Sequence, residues 1–231
     1  MRTIGVLGGL GPQATMDFEA RVHRVAQRLL PQHLNHGYPP MVTVYLRHPP
    51  VRFAEDGRPQ QPLTLDPRLL DAAARLGSWA DLLVIPCNTP HLFIEEIGAA
   101  AGCEVLSIVD VVVQELRRRG AGPVGLTGLG VPQVYSERFE GEGFEVVVAP
   151  GPLRDRLDEA ILRLLEGVTT DEHRSAASQV VESVRSGGAR ATVLGCTEIP
   201  LLLGPLADAE DLVNPAQLLA EAAVRRATEP V

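Results

Sequence analysis

Two cysteines stand in matching surroundings in the sequence. Cys87 follows the short apolar run 82–85, and Cys196 follows a second such run at 191–195. Continuous apolar runs with β-branched members predict strands buried on both faces. A proline follows each cysteine within four residues, where a helix tolerates it, and Thr89 is a suitable N-cap. We therefore expect each cysteine where a strand ends and a helix begins.

Cysteines in that setting suit acid–base chemistry at carbon. A helix N-terminus favours a thiolate, so a thiol placed there ionises more readily. If two thiols flank one carbon acid, one removes its proton and the other returns a proton to the opposite face, without a cofactor. The helix starts also suit a substrate carboxylate, beside the polar side chains of Asn88, Thr89 and Thr197. The residues predict Cys87 and Cys196 as a catalytic pair.

Strands and helices alternate along the chain, and the order repeats once. We predict strands at 3–7, 41–46, 82–85, 104–108, 123–127, 144–148 and 191–195. We predict helices at 12–30, 67–76, 90–101, 110–119, 133–140, 153–165, 170–186 and 215–227, with Asp110 as an N-cap. Glycine-rich loops at 8–11 and 128–130 follow the first strand of each half. Such alternation predicts parallel sheets, whose carboxyl edges bind ligands.

The fold expected is therefore α/β, with two pseudo-symmetric domains, each a mostly parallel sheet flanked by helices. The N-terminal domain should span 1–110 and the C-terminal domain 111–212. The C-terminal helix, at about 213–228, should pack back on the first domain.

The amino-acid composition argues against several classes of enzyme and of binding partner. All 21 basic residues are arginine, so the lysine needed by pyridoxal phosphate, Schiff bases and Walker-type phosphate loops is lacking. A net charge of −8 argues against nucleic acid and anionic membranes. Three cysteines do not suggest a disulfide scaffold, and the six histidines suggest no metal site. Without an apolar run long enough to span a membrane, we expect a cytoplasmic location and no cofactor.

Three motifs carry a resemblance to a known family. IGVLGGLGP, PCNTPH and LGCTEIPLL resemble the signatures of the aspartate/glutamate racemase superfamily, in its aspartate racemase branch. The resemblance implies a cofactor-independent amino-acid racemase that acts on a small, acidic amino acid and forms a homodimer. Its active site would lie in the cleft between the two domains, with Cys87 and Cys196 as the acid/base pair. Substrate contacts would come from Leu10, Gly11, Asn88, Thr89, Thr127 and Thr197.

Two substrate-holding features of the family differ in this chain. The second glycine loop reads TGLG at 127–130, shorter than the usual Thr-x-Gly-Thr run, and Glu166 stands where a basic residue often precedes Gly167. Arg47 and Arg52 are therefore the candidates for gripping a side-chain carboxylate, since arginine does so bidentately. Glu198 either contacts the substrate side of the site, orients Cys196, or is a first-turn glutamate without a role.

Other classes of protein stay open at this point. Residues 9–14 match the dinucleotide fingerprint G-x-G-x-x-A, although Arg47, not an acid, follows the second predicted strand. A dehydrogenase would also leave both cysteine motifs unexplained. A binding protein of the same fold and an isomerase of small diacids stay open as alternatives. The decarboxylases of the superfamily resemble this chain less, because they need only one cysteine.

Overall fold

The computed structural model describes residues 1–34, 36–52, 60 and 62–229, and these form eight strands and nine α-helices. The strands are β1 (Ile4–Gly8), β2 (Met41–Tyr45), β3 (Leu82–Val84), β4 (Glu104–Val105), β5 (Val124–Thr127), β6 (Val146–Val147), β7 (Ala191–Leu194) and β8 (Leu212–Val213). The helices are α1 (Pro12–Leu29), α2 (Pro67–Gly77), α3 (Ile94–Ala101), α4 (Ile108–Arg119), α5 (Gln133–Gly141), α6 (Gly151–Leu165), α7 (Asp171–Ser186), α8 (Ile199–Leu203) and α9 (Pro215–Thr228). Short 3-10 helices cover Thr89–Phe93 and Gly204–Asp208.

The strands form two four-stranded sheets with the same topology. The first sheet has the order β2-β1-β3-β4 and the second the order β6-β5-β7-β8, and every pairing is parallel. The central strands β1, β3, β5 and β7 are fully buried, as strands covered by helices on both faces must be. The predicted α/β class and the repeat of one unit are confirmed.

Contacts within the chain divide it into two compact units. Unit 1 comprises residues 1–108 and the chain from Ala216 onward, and unit 2 comprises residues 109–215. Helix α9 belongs to unit 1 because the Arg2 amide donates to the Ala227 carbonyl at 2.8 Å, and Arg226 pairs with Glu104 at 2.8 Å.

Each unit has its own apolar core. In unit 1, Leu7, Leu69, Leu83, Ile85 and Ile97 belong to one buried cluster formed by strands β1 and β3 with helices α2 and α3. In unit 2, the buried faces of α6 and α7 pack with α8. Cores of this kind fix the ends of the central strands, where the predicted site residues stand.

The structure corrects three local predictions. The strand predicted at 104–108 ends at Val105, because Ile108, Val112 and Leu116 form the buried face of helix α4 instead. Asp110 therefore lies in the first turn of α4 and does not precede it as a cap. The helix predicted at 90–101 is divided into the 3-10 turn and α3, because Phe93 leaves helical geometry with φ −121° and ψ 26°.

Candidate active site

In unit 1, the glycine loop after β1 is fixed by a side chain of α1. The Gly9 amide donates to the Thr15 hydroxyl at 2.8 Å, and that hydroxyl donates to the Gly11 carbonyl at 3.0 Å. Gly9 has φ +78°, and a Cβ there would lie 2.5 Å from the backbone of Leu46 at the end of β2. The loop is therefore pinned between α1 and β2, with Leu10 packed against the unit 1 core and Gly11 at the start of α1.

Cys87 lies three residues beyond the end of β3, beside the same core. It is partly exposed and packs against the apolar cluster that Leu10 also contacts. The Cys87 carbonyl is 3.0 Å from Nδ1 of His91, a side chain that is only 6% exposed. Parallel β1 and β3 are adjacent, so the structure brings the first glycine loop and Cys87 to one edge of this sheet. That is the edge at which open α/β sheets bind ligands.

The predicted N-cap at Thr89 is wrong. The cap position is Asn88, which has α-helical φ and ψ and makes no side-chain capping bond, and Thr89 is the first residue of the 3-10 turn. Proline at the second position of this turn fits its tight geometry, and the chain continues into α3 only after Phe93. Asn88 is buried and Thr89 partly exposed, so Thr89 is the more accessible of the two predicted contacts.

Arg47 and Arg52 follow β2 and are both exposed. The Arg47 guanidinium lies over the Tyr45 ring, with Cζ 5.0 Å from the ring centre, and this cation–π contact holds it near the sheet edge. The Arg52 amide donates to the Thr64 carbonyl at 3.0 Å. Neither guanidinium has an ion pair with another described residue. Both are therefore available for an anion, although the structure gives Arg47 the better-defined position.

The base of the loop that carries Arg52 is held by a polar cluster. Asp66 caps α2, accepts from the Arg68 amide and side chain, and lies 3.9 Å from Nδ1 of His48. The bond to Arg68 holds the pKa of Asp66 well below its usual range, against the opposing effect of burial. The cluster fixes both ends of this loop. Residues Asp56 and Arg58, which belong to the same polar loop in the sequence, lie outside the described part of the chain.

In unit 2, Thr127 ends β5 beside β7. Its buried hydroxyl donates to the Val193 carbonyl at 3.0 Å, which ties the two strands together. The Gly195 amide donates to the Thr127 carbonyl at 2.7 Å, and a Cβ on Gly195 would lie 2.6 Å from that oxygen. Glycine is therefore required immediately before Cys196. The Thr127 side chain therefore has a structural role, because it holds β5 to β7.

Cys196 shares a hydrogen bond with a buried carboxyl group. Its thiol donates to Oε2 of Glu198 at 3.0 Å, and the Thr197 hydroxyl lies 3.2 Å from the same oxygen. Glu198 is 5% exposed, and burial raises its pKa above the usual 4.5, although the bonds from Cys196 and Thr197 oppose the rise. The structure therefore brings together three predicted site residues around one carboxyl oxygen. A proton can pass between sulfur and oxygen along this bond.

Two further residues near Cys196 and the second glycine loop were missed by the sequence analysis. Tyr135 on α5 is fully buried, and its pKa is raised, first by burial and then by the negative charge of Cys196. Asp158 on α6 accepts the Gly130 amide at 2.8 Å, and burial raises its pKa. Neither carries a sequence signal, because each is one of several polar or aromatic residues on an ordinary amphipathic helix.

Metal and membrane features are lacking in the described residues. No group of three or more His, Cys, Asp or Glu side chains within 1–34, 36–52, 60 and 62–229 is arranged to hold a metal ion. None of the helices in this part of the chain is long and apolar enough to cross a membrane. Cys87, Cys103 and Cys196 all lie in the described part of the chain, and each is a free thiol there.

The fold is that of known racemases. An aspartate racemase homologue from Pyrococcus horikoshii superimposes with a TM-score of 0.76 at 23% identity, over 99% of this chain and 100% of the other. The structure of an Asp/Glu racemase candidate from Yersinia pestis gives a TM-score of 0.75 at 19% identity, over 99% of this chain and 100% of the other. The aspartate racemase of Picrophilus torridus gives 0.73 at 16% identity, over 100% of this chain and 96% of the other.

The sequence extends this similarity from fold to family. The sequence model of the Asp/Glu/Hydantoin racemase family matches residues 7–223, and the chain belongs to that family. The chain is also 25% identical over 227 residues to the broad specificity amino-acid racemase RacX of Bacillus subtilis, covering 96% of each chain. Family membership and this relative support an isomerase acting on a small carboxylate.

Proposed function

We propose that the protein is an amino-acid racemase that inverts the α-carbon by proton transfer between Cys87 and Cys196, without a cofactor. The observation that carries the proposal is the repeat: in each parallel sheet, the strand next to the glycine-loop strand leads into a cysteine followed by a helical turn. Membership of the Asp/Glu/Hydantoin racemase family supports the reaction class. The lack of lysine in the sequence excludes a pyridoxal phosphate mechanism.

In this reaction, the thiolate of one cysteine removes the α-hydrogen as a proton, and the C–H electron pair passes into the α-carboxylate. The thiol of the other cysteine then donates its proton to the opposite face of the carbon. The product is the enantiomer, and the two cysteines have exchanged protonation states. The same pair can therefore run the reaction in the other direction.

Glu198 is proposed to position the Cys196 thiol and to hold its proton. The carboxyl group lies 3.0 Å from the sulfur, and burial favours its protonated form. When the proton resides on Glu198, Cys196 is a thiolate ready to act as the base; when it resides on sulfur, Cys196 is the acid. Between turnovers in the same direction, Cys87 must lose its proton to solvent and the Cys196–Glu198 pair must regain one. The hydrogen bond lets that regained proton reach the sulfur from the carboxyl group.

The remaining predicted site residues are proposed as substrate contacts. In unit 1 these are Leu10 and Gly11 of the glycine loop, Asn88 and Thr89 after Cys87, and Arg47 and Arg52 for a side-chain carboxylate. In unit 2 they are Thr127, Thr197 and Glu198. The stacked position of Arg47 on Tyr45 favours it over Arg52 as the carboxylate ligand.

The test is racemisation measured by chiral chromatography, with purified protein, no added cofactor and a panel of L- and D-amino acids. We expect inversion of at least one acidic amino acid, with incorporation of solvent deuterium at the α-carbon. Cys87→Ser and Cys196→Ser should each abolish full inversion, and retained inversion in either variant would exclude the two-thiol mechanism. A binding protein would instead be stabilised by the ligand without deuterium exchange.

A further inference from the structure

The two repeats differ in what packs on the helix that precedes the cysteine-bearing strand. In unit 1 this helix is α2, and α3 packs directly on it, because a Cβ on Gly77 would lie 1.9 Å from the Ala101 carbonyl oxygen. In unit 2 it is α7, and the chain after β7 forms the five-residue α8 and then turns at Gly204 and Pro205. Gly204 has φ +56° and precedes a proline, which ends the α-helix. Helix α7 therefore faces a short 3-10 helix where α2 faces α3.

A groove of about 410 Å³ lies between α7 and that 3-10 helix, and we call it the α7 groove. Four of its five apolar lining residues also belong to the unit 2 core or pack against it, and the fifth, Leu206, is 61% exposed. The five are Val181, Leu203, Leu206, Ala209 and Leu212. Small-molecule sites typically have volumes of about 300–1,000 Å³, an apolar lining and a few polar groups. The α7 groove has the size and lining of such a site.

The polar wall of the α7 groove carries an excess of negative charge. Its arginine, Arg185, donates to both carboxylate oxygens of Asp211, at 2.6 and 2.7 Å. Glu182 lies one turn earlier on α7, 3.7 Å from the same guanidinium, and its side chain is 70% exposed. Because Asp211 already balances the charge of Arg185, the carboxylate of Glu182 attracts a further cation.

Two more carboxylates stand at the rim of the α7 groove. Asp208 and Glu210 are exposed and flank Ala209 in the chain. Arg119 reaches the same loop, where it donates to the Glu210 carbonyl at 2.6 Å, but its charge is balanced by Glu115 at 2.7 Å. The rim therefore favours a positively charged ligand over an anion.

Helix α8 links the α7 groove to Cys196. Leu203 at the end of α8 lines the groove, and Glu198 at the N-cap of the same helix accepts the Cys196 thiol at 3.0 Å. At about 1.5 Å per residue, α8 is less than about 8 Å long, and its apolar residues are packed in the unit 2 core. A ligand that packs against Leu203 therefore restrains the carboxyl group that bonds the sulfur.

We propose that the α7 groove binds a small molecule with an apolar body and one cationic group, such as an ammonium, and that binding restrains Cys196 through α8. The apolar body covers Leu206 and lies against Leu203, and the cation pairs with Glu182. The inference goes beyond the proposed racemase function and does not rest on it, because ligand binding and thiol reactivity are measured without turnover. It assigns a regulatory site to unit 2.

Binding is measured by isothermal titration calorimetry with three probes that share one apolar body: phenylbutylamine, phenylbutanol and phenylbutyrate. We expect the amine to bind the wild type most tightly and the carboxylate most weakly. Leu206→Asn should weaken binding of the amine about 3- to 10-fold, because it removes the exposed apolar contact. Glu182→Gln should weaken it about 2- to 5-fold and remove the preference for the amine over the alcohol.

Leu162→Asn and Glu172→Gln are the matched controls. Leu162 is a half-exposed leucine of α6, Glu172 lies in the first turn of α7, and neither lines the α7 groove. Both controls should bind the amine as the wild type does. Failure of the amine to bind, equal binding of the three probes, or equal losses in the groove and control variants would each overturn the assignment. A wild-type oligomer that Leu206→Asn dissociates, measured by light scattering, would overturn it too, because a second copy would then cover the groove.

The link to Cys196 is tested by alkylation. In Cys87→Ser/Cys103→Ser, Cys196 is the one remaining thiol, and its reaction with iodoacetamide is followed by mass spectrometry. Saturating phenylbutylamine should slow the reaction about fivefold, because a restrained Glu198 keeps its hydrogen bond to the sulfur. In this background, Leu206→Asn should raise the amine concentration needed by the same factor as its Kd, and Leu162→Asn should not. An unchanged alkylation rate with the amine bound would exclude the coupling.

Discussion

The two cysteines have similar backbones and different electrostatic surroundings. Each follows a buried strand of a parallel sheet and precedes a short helical turn. After Cys196, the second residue on is the buried Glu198, whose carboxyl oxygen meets the sulfur at 3.0 Å. After Cys87 the corresponding residue is Thr89, and the nearby His91 contacts the Cys87 carbonyl and not its sulfur. The repeat therefore fixes where the thiols stand, and single side chains decide how each exchanges its proton.

The two glycine loops likewise have similar backbones that are held by different side chains. In unit 1 the loop amide of Gly9 is held by the neutral hydroxyl of Thr15 on α1. In unit 2 the loop amide of Gly130 is held by the carboxyl group of Asp158 on α6. The first loop is thus clamped by a helix that directly follows it, and the second by a helix that begins some twenty residues later in the chain. The two glycine loops are therefore stabilised by unrelated side chains.

The largest effect should come from removing one thiol at a time. If the cysteines act on opposite faces of the carbon, Cys87→Ser and Cys196→Ser should each exchange the α-hydrogen of one enantiomer, and the two variants should prefer opposite enantiomers. Racemisation should fall about 10²- to 10⁴-fold in both. The measurement is deuterium incorporation from D₂O into pure L- and D-substrate, followed by mass spectrometry.

Cys103→Ser is the matched control for this comparison. Cys103 is the third cysteine, and burial raises its pKa, with Asp81 and Glu104 adding to the rise. It packs against the unit 1 core and should leave both exchange reactions unchanged. Preference of both single-thiol variants for the same enantiomer would contradict the assignment of one cysteine to each face.

A smaller effect should show directly that the surroundings of Cys196 and Cys87 differ. Glu198→Gln keeps the size of the side chain and removes its capacity to take the Cys196 proton. We expect kcat to fall about 10- to 100-fold and KM to change much less, because glutamine keeps the size of the side chain and its accepting oxygen. Thr89→Val, at the corresponding position after Cys87, should leave kcat much closer to the wild-type value. Similar losses of kcat in both variants would show that Glu198 has no special relation to Cys196.

The Glu198→Gln variant should also change how the free energy of unfolding depends on pH. Burial raises the pKa of Glu198, so the folded chain holds this proton more tightly than the unfolded chain, whose value is near 4.5. The contribution of the protonated Glu198 to the free energy of unfolding is fully present below pH 4.5. It is lost as the pH rises through the pKa that Glu198 has in the folded chain. Glu198→Gln, neutral throughout, should therefore gain stability relative to the wild type between pH 4.5 and pH 8. Urea unfolding at both pH values measures the difference, and a constant difference would contradict it.

The backbone of this protein was predictable because its signals are local and periodic. Short apolar runs predicted the central strands, and the helix predicted at 170–186 is present as α7, with Thr170 as its N-cap. Strands β4 and β8, of two residues each, and the five-residue α8 lie below the length at which periodicity tells strand from helix. The run 104–108 was assigned wrongly for that reason, because β-branched residues serve the buried face of α4 as well as a strand.

The side-chain partners of the site were less accessible to prediction. The motif LGCTEIPLL placed Glu198 beside Cys196, and only the structure decided that its carboxyl group turns inward to the sulfur. Asp158 and Tyr135 come from helices remote in sequence, and they approach the loop and Cys196 only through tertiary packing. The expected thiolate-stabilising helix after Cys87 is a 3-10 turn, so the aligned dipoles are fewer than the motif suggested.

The smallest effect concerns the clamps of the two glycine loops. Thr15→Val is nearly isosteric, but it leaves the buried Gly9 amide without its acceptor at a cost of about 1 to 2 kcal/mol of unfolding free energy. Asp158→Asn retains an oxygen that can accept the Gly130 amide, so its cost should stay below about 1 kcal/mol. Thr15→Ser, which keeps the hydroxyl, should behave more like the wild type than Thr15→Val does. Chemical denaturation followed by circular dichroism ranks the variants, and a larger loss in Asp158→Asn than in Thr15→Val would show that charge, and not the acceptor alone, holds the second loop.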